Sequence, residues 1–519
     1  MITRERAVKI PLRAILPTII LTIALLIAIS TSAQAREMTD TDITLAVMDA
    51  LTYDPGVSGY LVDVETDNGI VTLSGSTTNL LAKRRAARLA ETVKGVRSVV
   101  NRIEVKSLGR PDNEVRSDVV DALAANPATE SWEVEVTATD GVVKLTGSVD
   151  SWYEKQLAAK IARSVRGVTE IDNQLALEYE DDRPDPEIAA EIREKLRWDA
   201  LVDDALVSVA VDDNEVTLTG TVGSAAEKRY AISDAWVDNV DRVNAEDLGV
   251  ADWARDERFR TDKYIPKSDE EVEEAINDAL FYDPRVASFD VDVSVDNGVV
   301  RLSGTVDDLK AKRAASQVAS NTVGVWTVRN QVNVRPGQPV TDAVVAADVR
   351  QALLRDPYVN RYDVDVTVDN GIAYLGGDVD TYFEKAQADD VAAQVAGVIA
   401  VENNLEVSDG DDVLTYSPYV DYDWWYPADY DWYTFPNGRY TALSDWEIKE
   451  EIEDEFFWNP FVDSEDVTVT VDNGVATLTG TVETWSERIE ATANALEGGA
   501  VQVDNNLMVA YGPEYYQEP

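Results

Sequence analysis

Apolar residues along this chain are spaced in two different ways that alternate from one stretch to the next. Within residues 269–281 they recur every three or four positions, as on the buried face of a helix. Within residues 289–295 apolar and polar residues alternate one by one, which predicts a strand with one buried face. Asn297-Gly298 then favours a hairpin turn, because both central residues of that turn need positive φ. This stretch therefore predicts a helix followed by a β-hairpin.

The rest of this unit adds a second helix and a third strand. Residues 307–318 again show helical spacing, and Gly324 supplies the left-handed conformation in which helices commonly end. Residues 328–334 alternate like a strand. The result is an α-β-β-α-β unit of about 65 residues, whose two amphipathic helices must cover one face of a three-stranded sheet. The predicted fold class is therefore α/β, a two-layer sandwich with a right-handed crossover into the last strand.

The same unit occurs six times in tandem. The glycine that closes each hairpin lies at Gly75, Gly147, Gly220, Gly304, Gly377 and Gly480, at intervals of 72, 73, 84, 73 and 103 residues. We expect domains at residues 40–105, 112–179, 185–250, 268–334, 341–407 and 444–510. Further structural glycines are expected in the hairpin turns and after the second helices, at Gly69, Gly298, Gly474, Gly95, Gly167, Gly324 and Gly397. The third copy is divergent: Glu215 is assigned to the turn-glycine position and Asn239 to the later one.

Several segments lie outside the repeats. Residues 1–35 combine a basic start, an apolar run and the small-x-small sequence Ala33-Gln34-Ala35, which predicts a cleavable signal peptide and a periplasmic location. The alternative is an uncleaved anchor in the inner membrane, because the apolar run is close to the shortest that spans a bilayer. Residues 251–267 are a predicted linker, residues 409–440 an insert and residues 511–519 a tail.

The composition excludes several classes of chemistry. The chain has neither Cys nor His, which excludes disulfides, thiolate nucleophiles, Ser-His-Asp triads and His-coordinated metals. It carries no Walker A loop and no dinucleotide-binding glycine motif. The formal net charge of -51 disfavours nucleic acid as a partner. We therefore expect a non-enzyme with no catalytic residues, cofactor or dedicated metal site, whose acidic surface binds divalent cations weakly.

The repeated hairpin sequence (Asn)-Gly-x-Val/x-x-Leu-x-Gly and the Gly-Val before the last strand resemble the BON domain. This repeat is found in bacterial osmotic-stress periplasmic proteins and in secretin- and channel-associated proteins. The resemblance covers nearly all of the chain after residue 35, in six copies. It implies an envelope-stress or osmoprotection factor that binds phospholipid or mediates protein contacts at membranes. It implies no catalytic residues, and the divergent third copy is the one in which a shared binding surface is least expected.

Two segments are candidate binding sites. The second helix of the first repeat is locally basic, and Lys83, Arg84, Arg85 and Arg88 are the candidate lipid contacts. The alternative is a solvated face whose charges pair with carboxylates of neighbouring repeats. The insert at residues 409–440 is a candidate binding flap for sugar rings, cationic groups or a membrane interface. Its candidate residues are Tyr422, Trp424, Trp425, Tyr426, Trp432 and Tyr433; the alternative is that they pack against the neighbouring repeats.

Three functional hypotheses follow. The leading one is a non-enzymatic exported binding protein of the cell envelope, directed at phospholipid surfaces or envelope proteins, in which several weak sites gain avidity by being linked. The second is an acidic periplasmic spacer or holdase that keeps other proteins soluble. The third is a glycan-binding or glycan-acting protein that uses the aromatic insert as its platform.

Overall fold

The computed structural model describes residues 38–510 except 55, 108, 127–133, 180–182, 256–262, 264–266, 282, 284, 287–289, 338–339, 360–363, 408–443, 465 and 501. The predicted signal peptide, the aromatic insert and the tail therefore lie outside the described residues. Within them the chain forms six tandem α/β domains, each with two helices over a small mixed sheet, as the sequence predicts. Among the residues described, no helix combines the length and the apolar character needed to span a bilayer.

Each domain contributes two of the helices that the structure describes, and the first of each pair precedes the hairpin. In chain order the helices are α1 (Asp40–Tyr53), α2 (Leu80–Glu91), α3 (Asp112–Ala125), α4 (Trp152–Arg163), α5 (Asp185–Trp198), α6 (Ala225–Asp234), α7 (Asp269–Phe281), α8 (Leu309–Ser320), α9 (Asp342–Arg355), α10 (Tyr382–Ala393), α11 (Asp445–Trp458) and α12 (Trp485–Glu497). The second helices begin at a side-chain cap, as where Asn79 accepts a hydrogen bond from the backbone N–H of Ala82.

The strands form one small sheet per domain, or two in the fifth domain, and the second hairpin strand is the central one. In chain order they are β1 (Val62–Asp67), β2 (Ile70–Thr77), β3 (Ser98–Asn101), β4 (Glu104–Val105), β5 (Val134–Thr139), β6 (Val142–Val149), β7 (Glu170–Leu177), β8 (Val207–Asp212), β9 (Glu215–Val222), β10 (Arg242–Asn244), β11 (Leu248–Val250), β12 (Asp290–Asp296), β13 (Val299–Val306), β14 (Thr327–Asn330), β15 (Asn333–Val334), β16 (Asp365–Asp369), β17 (Ile372–Gly376), β18 (Asp378–Val379), β19 (Ala400–Asn403), β20 (Glu406–Val407), β21 (Val467–Asp472), β22 (Val475–Val482) and β23 (Gln502–Val509). The central strand is antiparallel to the first strand and parallel to the last.

The hairpin turns adopt the backbone conformation that the Asn-Gly pairs predict. Asn297 and Gly298 have φ of 51° and 72°. In the third domain the two turn residues are Asp213 and Asn214, with φ of 50° and 60°. The assignment of Glu215 to the turn-glycine position was therefore wrong, because Glu215 already begins strand β9. Asn tolerates the left-handed conformation, so this domain keeps the same turn without a glycine.

An aspartate at the start of each first helix holds the hairpin turn of its own domain. In the first domain Asp40 accepts hydrogen bonds of 2.8 Å from the backbone N–H groups of Asn68 and Gly69. The equivalent aspartates are Asp112, Asp185, Asp269, Asp342 and Asp445. This bond ties the two layers together at one corner, and it also satisfies two backbone donors that a turn would leave unpaired.

The core of each domain lies between its helices and the inner face of its sheet. In the first domain Ile43, Val47 and Leu51 of α1 pack on Val71 and Leu73 of the central strand, and all five are buried. The closing glycine of the hairpin sits where a side chain would collide with the chain before β1. A Cβ atom at Gly75, where φ is +105°, would lie 2.1 Å from the carbonyl oxygen of Leu61.

The six domains pack against one another in three equivalent pairs. The backbone N–H of Lys94 in the first domain donates to the carbonyl oxygen of Trp458 in the sixth, at 2.8 Å. Arg166 of the second domain donates in the same way to Arg355 of the fifth, at 2.7 Å. Val323 of the fourth donates to Trp198 of the third, at 2.9 Å.

Each of these bonds joins the same two positions. The donor is the residue before the glycine that follows a second helix, and the acceptor is the last residue of a first helix. The pairs are nested along the chain: the first domain with the sixth, the second with the fifth, and the third with the fourth. The repeats are therefore packed domains rather than separate beads.

Candidate functional site

The predicted lipid contacts on α2 do not form a single exposed face. Arg85 is buried, and its Nε and Nη2 donate to the two carboxylate oxygens of Asp54 at 2.7 and 2.6 Å. Asp54 also accepts a hydrogen bond of 2.9 Å from the backbone N–H of Gly56. Arg85 therefore joins the end of α1 to α2, and its prediction as a contact to a membrane surface was wrong.

The other three predicted contacts have different surroundings. Arg84 is exposed, whereas Lys83 and Arg88 are half-buried. Arg88 lies 3.7 Å from Glu91, which also pairs at 2.9 Å with Arg229 of the third domain. The salt bridge between domains is thus made by a carboxylate of α2, whereas the alternative hypothesis has the cations of α2 pair with carboxylates of neighbouring repeats.

Arg84, Arg85 and Arg88 face a recess where four domains meet. The second helices of the first, second, fourth and fifth domains converge here, and they enclose a cavity of about 130 Å³. We call this cavity the basic recess. The basic side chains that line it are Arg84, Arg85, Arg88, Lys160, Arg163, Arg285 and Lys310. Lys83, next to Arg84 in sequence, is not among the lining residues.

Aromatic side chains of the fifth domain form one wall of the basic recess. The ring of Phe383 lies 4.9 Å from the guanidinium carbon of Arg85, a distance typical of a cation–π contact. Tyr358 packs edge-on against Phe383 with ring centres 4.7 Å apart. The hydroxyl of Tyr358 donates to the carbonyl oxygen of Gly56 in the first domain at 2.9 Å. These contacts fix the first and fifth domains relative to each other at the recess.

Two carboxylates line the basic recess, and both have structural roles. Asp308 caps α8 by accepting a hydrogen bond of 2.8 Å from the backbone N–H of Ala311. Burial raises the pKa of the Asp308 carboxyl. Asp390 pairs at 2.6 Å with Lys310, which joins the fifth domain to the fourth. Cations therefore dominate the lining of the basic recess, although acidic residues outnumber basic ones in the chain as a whole.

A second, smaller cavity lies between the third and sixth domains and has the opposite charge. It encloses about 40 Å³ and is lined by carboxylates including Glu227 and Glu487. Each of these two carboxylates accepts one backbone hydrogen bond from just before its own helix and one from the segment between the first helix and the hairpin of its domain. Within the described part of the chain, no group of three or more carboxylates is arranged to hold a metal ion.

The convergence of the second helices was not predicted, although the sequence carries a signal for it. Helix α8 buries alanines and polar residues well beyond one apolar stripe: Ala311, Ala314, Ala315, Ser316, Gln317 and Ala319. A helix that buries residues on more than one side packs against more than its own sheet. Small residues on a second face could therefore have predicted that these helices meet other domains. The six predicted aromatic residues of the insert, from Tyr422 to Tyr433, lie outside the described residues.

Comparison with known proteins identifies the family. The fold defines a tandem array of small α/β domains that share one packing scheme. A family model for the BON domain matches residues 39–107, 111–179, 184–250, 268–336, 341–409 and 444–511. The chain belongs to the BON domain family, as its hairpin sequences predict.

Several curated proteins resemble part of the chain. Osmotically-inducible protein Y of Escherichia coli is 33% identical over 145 residues, which is 27% of this chain and 72% of that protein. Outer membrane lipoprotein DolP of Haemophilus influenzae is 30% identical over 135 residues, covering 25% of this chain and 69% of that protein. A 21 kDa hemolysin of Actinobacillus pleuropneumoniae is 31% identical over 115 residues, covering 21% of this chain and 59% of that protein.

Among solved structures, CdsD, a structural protein of the type III secretion system of Chlamydia trachomatis, is 15% identical. That match covers 39% of this chain and 90% of the other, with a TM-score of 0.11.

Proposed function

We propose that this chain is a non-enzymatic exported binding protein of the cell envelope, which contacts phospholipid surfaces or envelope proteins and protects the envelope under osmotic stress. Its relatives support an envelope role, since one is named as osmotically inducible and another as an outer membrane lipoprotein. The periplasm is the proposed compartment, because residues 1–35 have the features of a cleavable signal peptide.

The observation that carries the proposal is the packing of six BON domains in three backbone-bonded pairs. Weak sites on linked domains raise one another's effective concentration, and the gain is greatest when their geometry permits simultaneous contact. Domains held by direct hydrogen bonds present their outer surfaces at fixed spacing. Several domains can then contact a planar target such as a membrane with little further loss of conformational entropy.

The outer surface of the first domain offers an apolar contact for such a target. Leu45 and Met48 lie three residues apart on α1 and are 60% and 45% exposed. Tyr60 and Leu61, in the turn before β1, are 84% and 41% exposed. Exposed apolar side chains close together on a surface are typical of protein or membrane contacts. Apolar contact of this kind does not require the target to be anionic, which suits a chain with a net charge of -51.

The test is co-sedimentation of residues 36–519 with vesicles of phosphatidylglycerol and, separately, of phosphatidylcholine. The double substitution Leu45→Glu with Met48→Glu should lower the bound fraction at least several-fold, since it places two charges at the contact. A matched control is Val344→Glu with Leu354→Glu, which changes two exposed apolar residues of α9 in the fifth domain. We expect the control to bind like the original chain. A chain that stays in the supernatant with both kinds of vesicle would contradict the membrane role.

A further inference from the structure

Four of the six hairpin turns carry an Asn-Gly pair, and this dipeptide is prone to deamidation. In that reaction the backbone nitrogen of the glycine loses its proton and attacks the side-chain carbonyl carbon of the asparagine. A C–N bond forms and ammonia leaves, which gives a five-membered cyclic imide. Water then opens the imide at one of its two carbonyl groups and leaves aspartate or isoaspartate. The pairs are Asn68-Gly69, Asn297-Gly298, Asn370-Gly371 and Asn473-Gly474, and all four asparagines are exposed.

The attacking nitrogen of each pair is held in a hydrogen bond to a carboxylate. In the fifth domain the backbone N–H of Gly371 donates to Oδ1 of Asp342 at 3.0 Å, and that of Asn370 donates to Oδ2 at 2.9 Å. In the other three turns the carboxylate oxygen lies 2.8 to 3.0 Å from the glycine nitrogen. We call the four residues that accept these bonds the turn aspartates; they are Asp40, Asp269, Asp342 and Asp445.

A turn aspartate opposes the reaction in two ways. A hydrogen bond to an ionised carboxylate is about twice as strong as one between neutral groups, and it must break before the glycine nitrogen can attack. Removal of the proton would also create a negative charge at hydrogen-bond distance from the carboxylate, and like charges at that distance repel each other. Both effects act on the atom that forms the new bond.

The carbonyl group of the turn glycine is held as well. The carbonyl oxygen of Gly371 accepts a hydrogen bond of 2.9 Å from the backbone N–H of Ile399, and that of Gly298 accepts one of 2.8 Å from Trp326. The glycine is therefore tied to other elements through both its N–H and its C=O group. Its nitrogen can turn towards the asparagine side chain only after these bonds open, which requires local unfolding of the turn.

The side-chain amide that would be attacked is held in only two of the four turns. The Nδ2 groups of Asn68 and Asn297 each donate a hydrogen bond of 2.8 Å to the aspartate that precedes them in the chain. Within the described part of the chain, Asn370 and Asn473 make no such side-chain bond. The turns of the fifth and sixth domains therefore depend more on their turn aspartates than those of the first and fourth.

We propose that the four Asn-Gly turns are latent deamidation sites, which the turn aspartates keep unreacted in the folded chain. The product of the reaction would undo this protection. In the fifth domain it adds a negative charge between Asp342 and Asp369, and isoaspartate also lengthens the backbone of a two-residue turn by one methylene group. A modified turn thus repels the carboxylate that holds it. The inference concerns the chemical lifetime of the fold and does not depend on contact with a membrane.

The experiment is incubation of residues 36–519 at mildly alkaline pH, with deamidation at each Asn-Gly pair followed by peptide mapping and mass spectrometry. A parallel sample in urea gives the rate of each pair in the unfolded chain, and we expect all four pairs to react more slowly in the folded chain. Asp342→Ala should raise the rate at Asn370 about tenfold, because it removes a charge-assisted hydrogen bond. The rate at Asn297 should stay unchanged in this variant, since Asp269 still holds that turn.

Two control variants separate the hydrogen bond from other effects of the substitution. Asp365→Ala makes the same change of charge at an exposed position, at the end of β16 that is far from the turn. It should leave the rate at Asn370 as it is. Val349→Ala removes two buried methyl groups from the core of the fifth domain and so lowers the stability of this domain without changing the turn.

The comparison between Asp342→Ala and Val349→Ala decides the inference. Faster reaction at Asn370 in Asp342→Ala than in Val349→Ala supports it, because a loss of stability alone would act in both variants. Equal acceleration in the two variants would overturn it and show that unfolding of the domain controls the rate. An unchanged rate at Asn370 in Asp342→Ala would overturn it too, as would equal rates in the folded and the unfolded chain. Each of these outcomes is independent of vesicle binding.

Discussion

The backbone N–H of Lys94 lies 2.8 Å from the carbonyl oxygen of Trp458 and joins the first domain of this protein to the last. These two residues are 364 positions apart in the chain. The same bond is made by Arg166 with Arg355 and by Val323 with Trp198. One local geometry thus serves three interfaces, and it makes the six domains a nested set of pairs.

Trp458→Ala should loosen the sixth domain from the first. The indole packs against the core of the first domain as well as ending α11, and loss of a partly buried aromatic side chain costs about 2 kcal/mol. We expect the calorimetric unfolding transition to split, with the sixth domain unfolding at a lower temperature. Trp446→Ala provides the control, because this side chain is on the same helix and 64% exposed. A single unshifted transition for Trp458→Ala would contradict the role given to this contact.

Replacing Arg85 alone should destabilise the first domain. Arg85→Ala leaves the carboxylate of Asp54 buried without its ion-pair partner, which typically costs about 3 kcal/mol. The double substitution Asp54→Asn with Arg85→Gln should recover most of the loss, because it puts two neutral hydrogen-bonding groups in the same place. In the sixth domain Asn459, at the position of Asp54, pairs at 2.8 Å with Asn494, which lies one turn further along the second helix than the position of Arg85. Chemical denaturation of both variants measures the difference, and equal stabilities would argue against the ion pair as the cause.

The interface between the first and sixth domains should be more stable at acidic than at alkaline pH. Burial, together with the nearby carboxylates Asp49, Glu451 and Asp454, raises the pKa of Glu455 from 4.5 to about 7. A carboxyl with a raised pKa in the folded state contributes stability below pH 4.5, and this contribution is lost as the pH rises towards 7.

Glu455→Gln tests this dependence. The neutral amide should raise the free energy of unfolding at pH 8 by about 2 kcal/mol and change it little at pH 4. It should also flatten the dependence of the unfolding temperature on pH. Glu450→Gln, an exposed position on the same helix, should leave the dependence as it is. If the unfolding temperatures of the original chain and of Glu455→Gln change with pH in parallel, a group other than Glu455 causes the pH dependence.

The contribution to stability of the aspartate that holds each hairpin turn should be measurable one domain at a time. In the fifth domain Asp342 accepts hydrogen bonds of 2.9 and 3.0 Å from the backbone N–H groups of Asn370 and Gly371. Asp342→Ala removes both bonds and should cost about 1–2 kcal/mol. Hydrogen exchange should accelerate at Asn370 and Gly371 but not at the equivalent turn of the fourth domain, which Asp269 holds. Unchanged exchange in the fifth domain would mean that the turn does not depend on this carboxylate.

The sequence by itself determined the α-β-β-α-β unit and its six copies. Helical spacing, strand alternation and Asn-Gly turns are local properties, and each acts within one unit of about 70 residues. The third domain shows the limit of local patterns. The hairpin motif assigned Glu215 to the turn-glycine position, which Asn214 occupies in the structure. The hydrogen bond from the backbone N–H of Asn68 to Asp40 could not be predicted from periodicity either, because it joins two elements that are distant in the sequence.

Only the tertiary structure decided which domains meet and what their second helices face. The pairing of Lys94 with Trp458 and the convergence of Arg84 with Arg163 link residues that no local pattern connects. Arg85 illustrates the consequence: its sequence neighbours indicate a basic surface, yet burial against Asp54 gives it a structural role. Whether a charged side chain faces solvent, a partner carboxylate or a shared cavity depends on surfaces contributed by distant parts of the chain. Sequence spacing fixes the face of a helix, and packing fixes what that face meets.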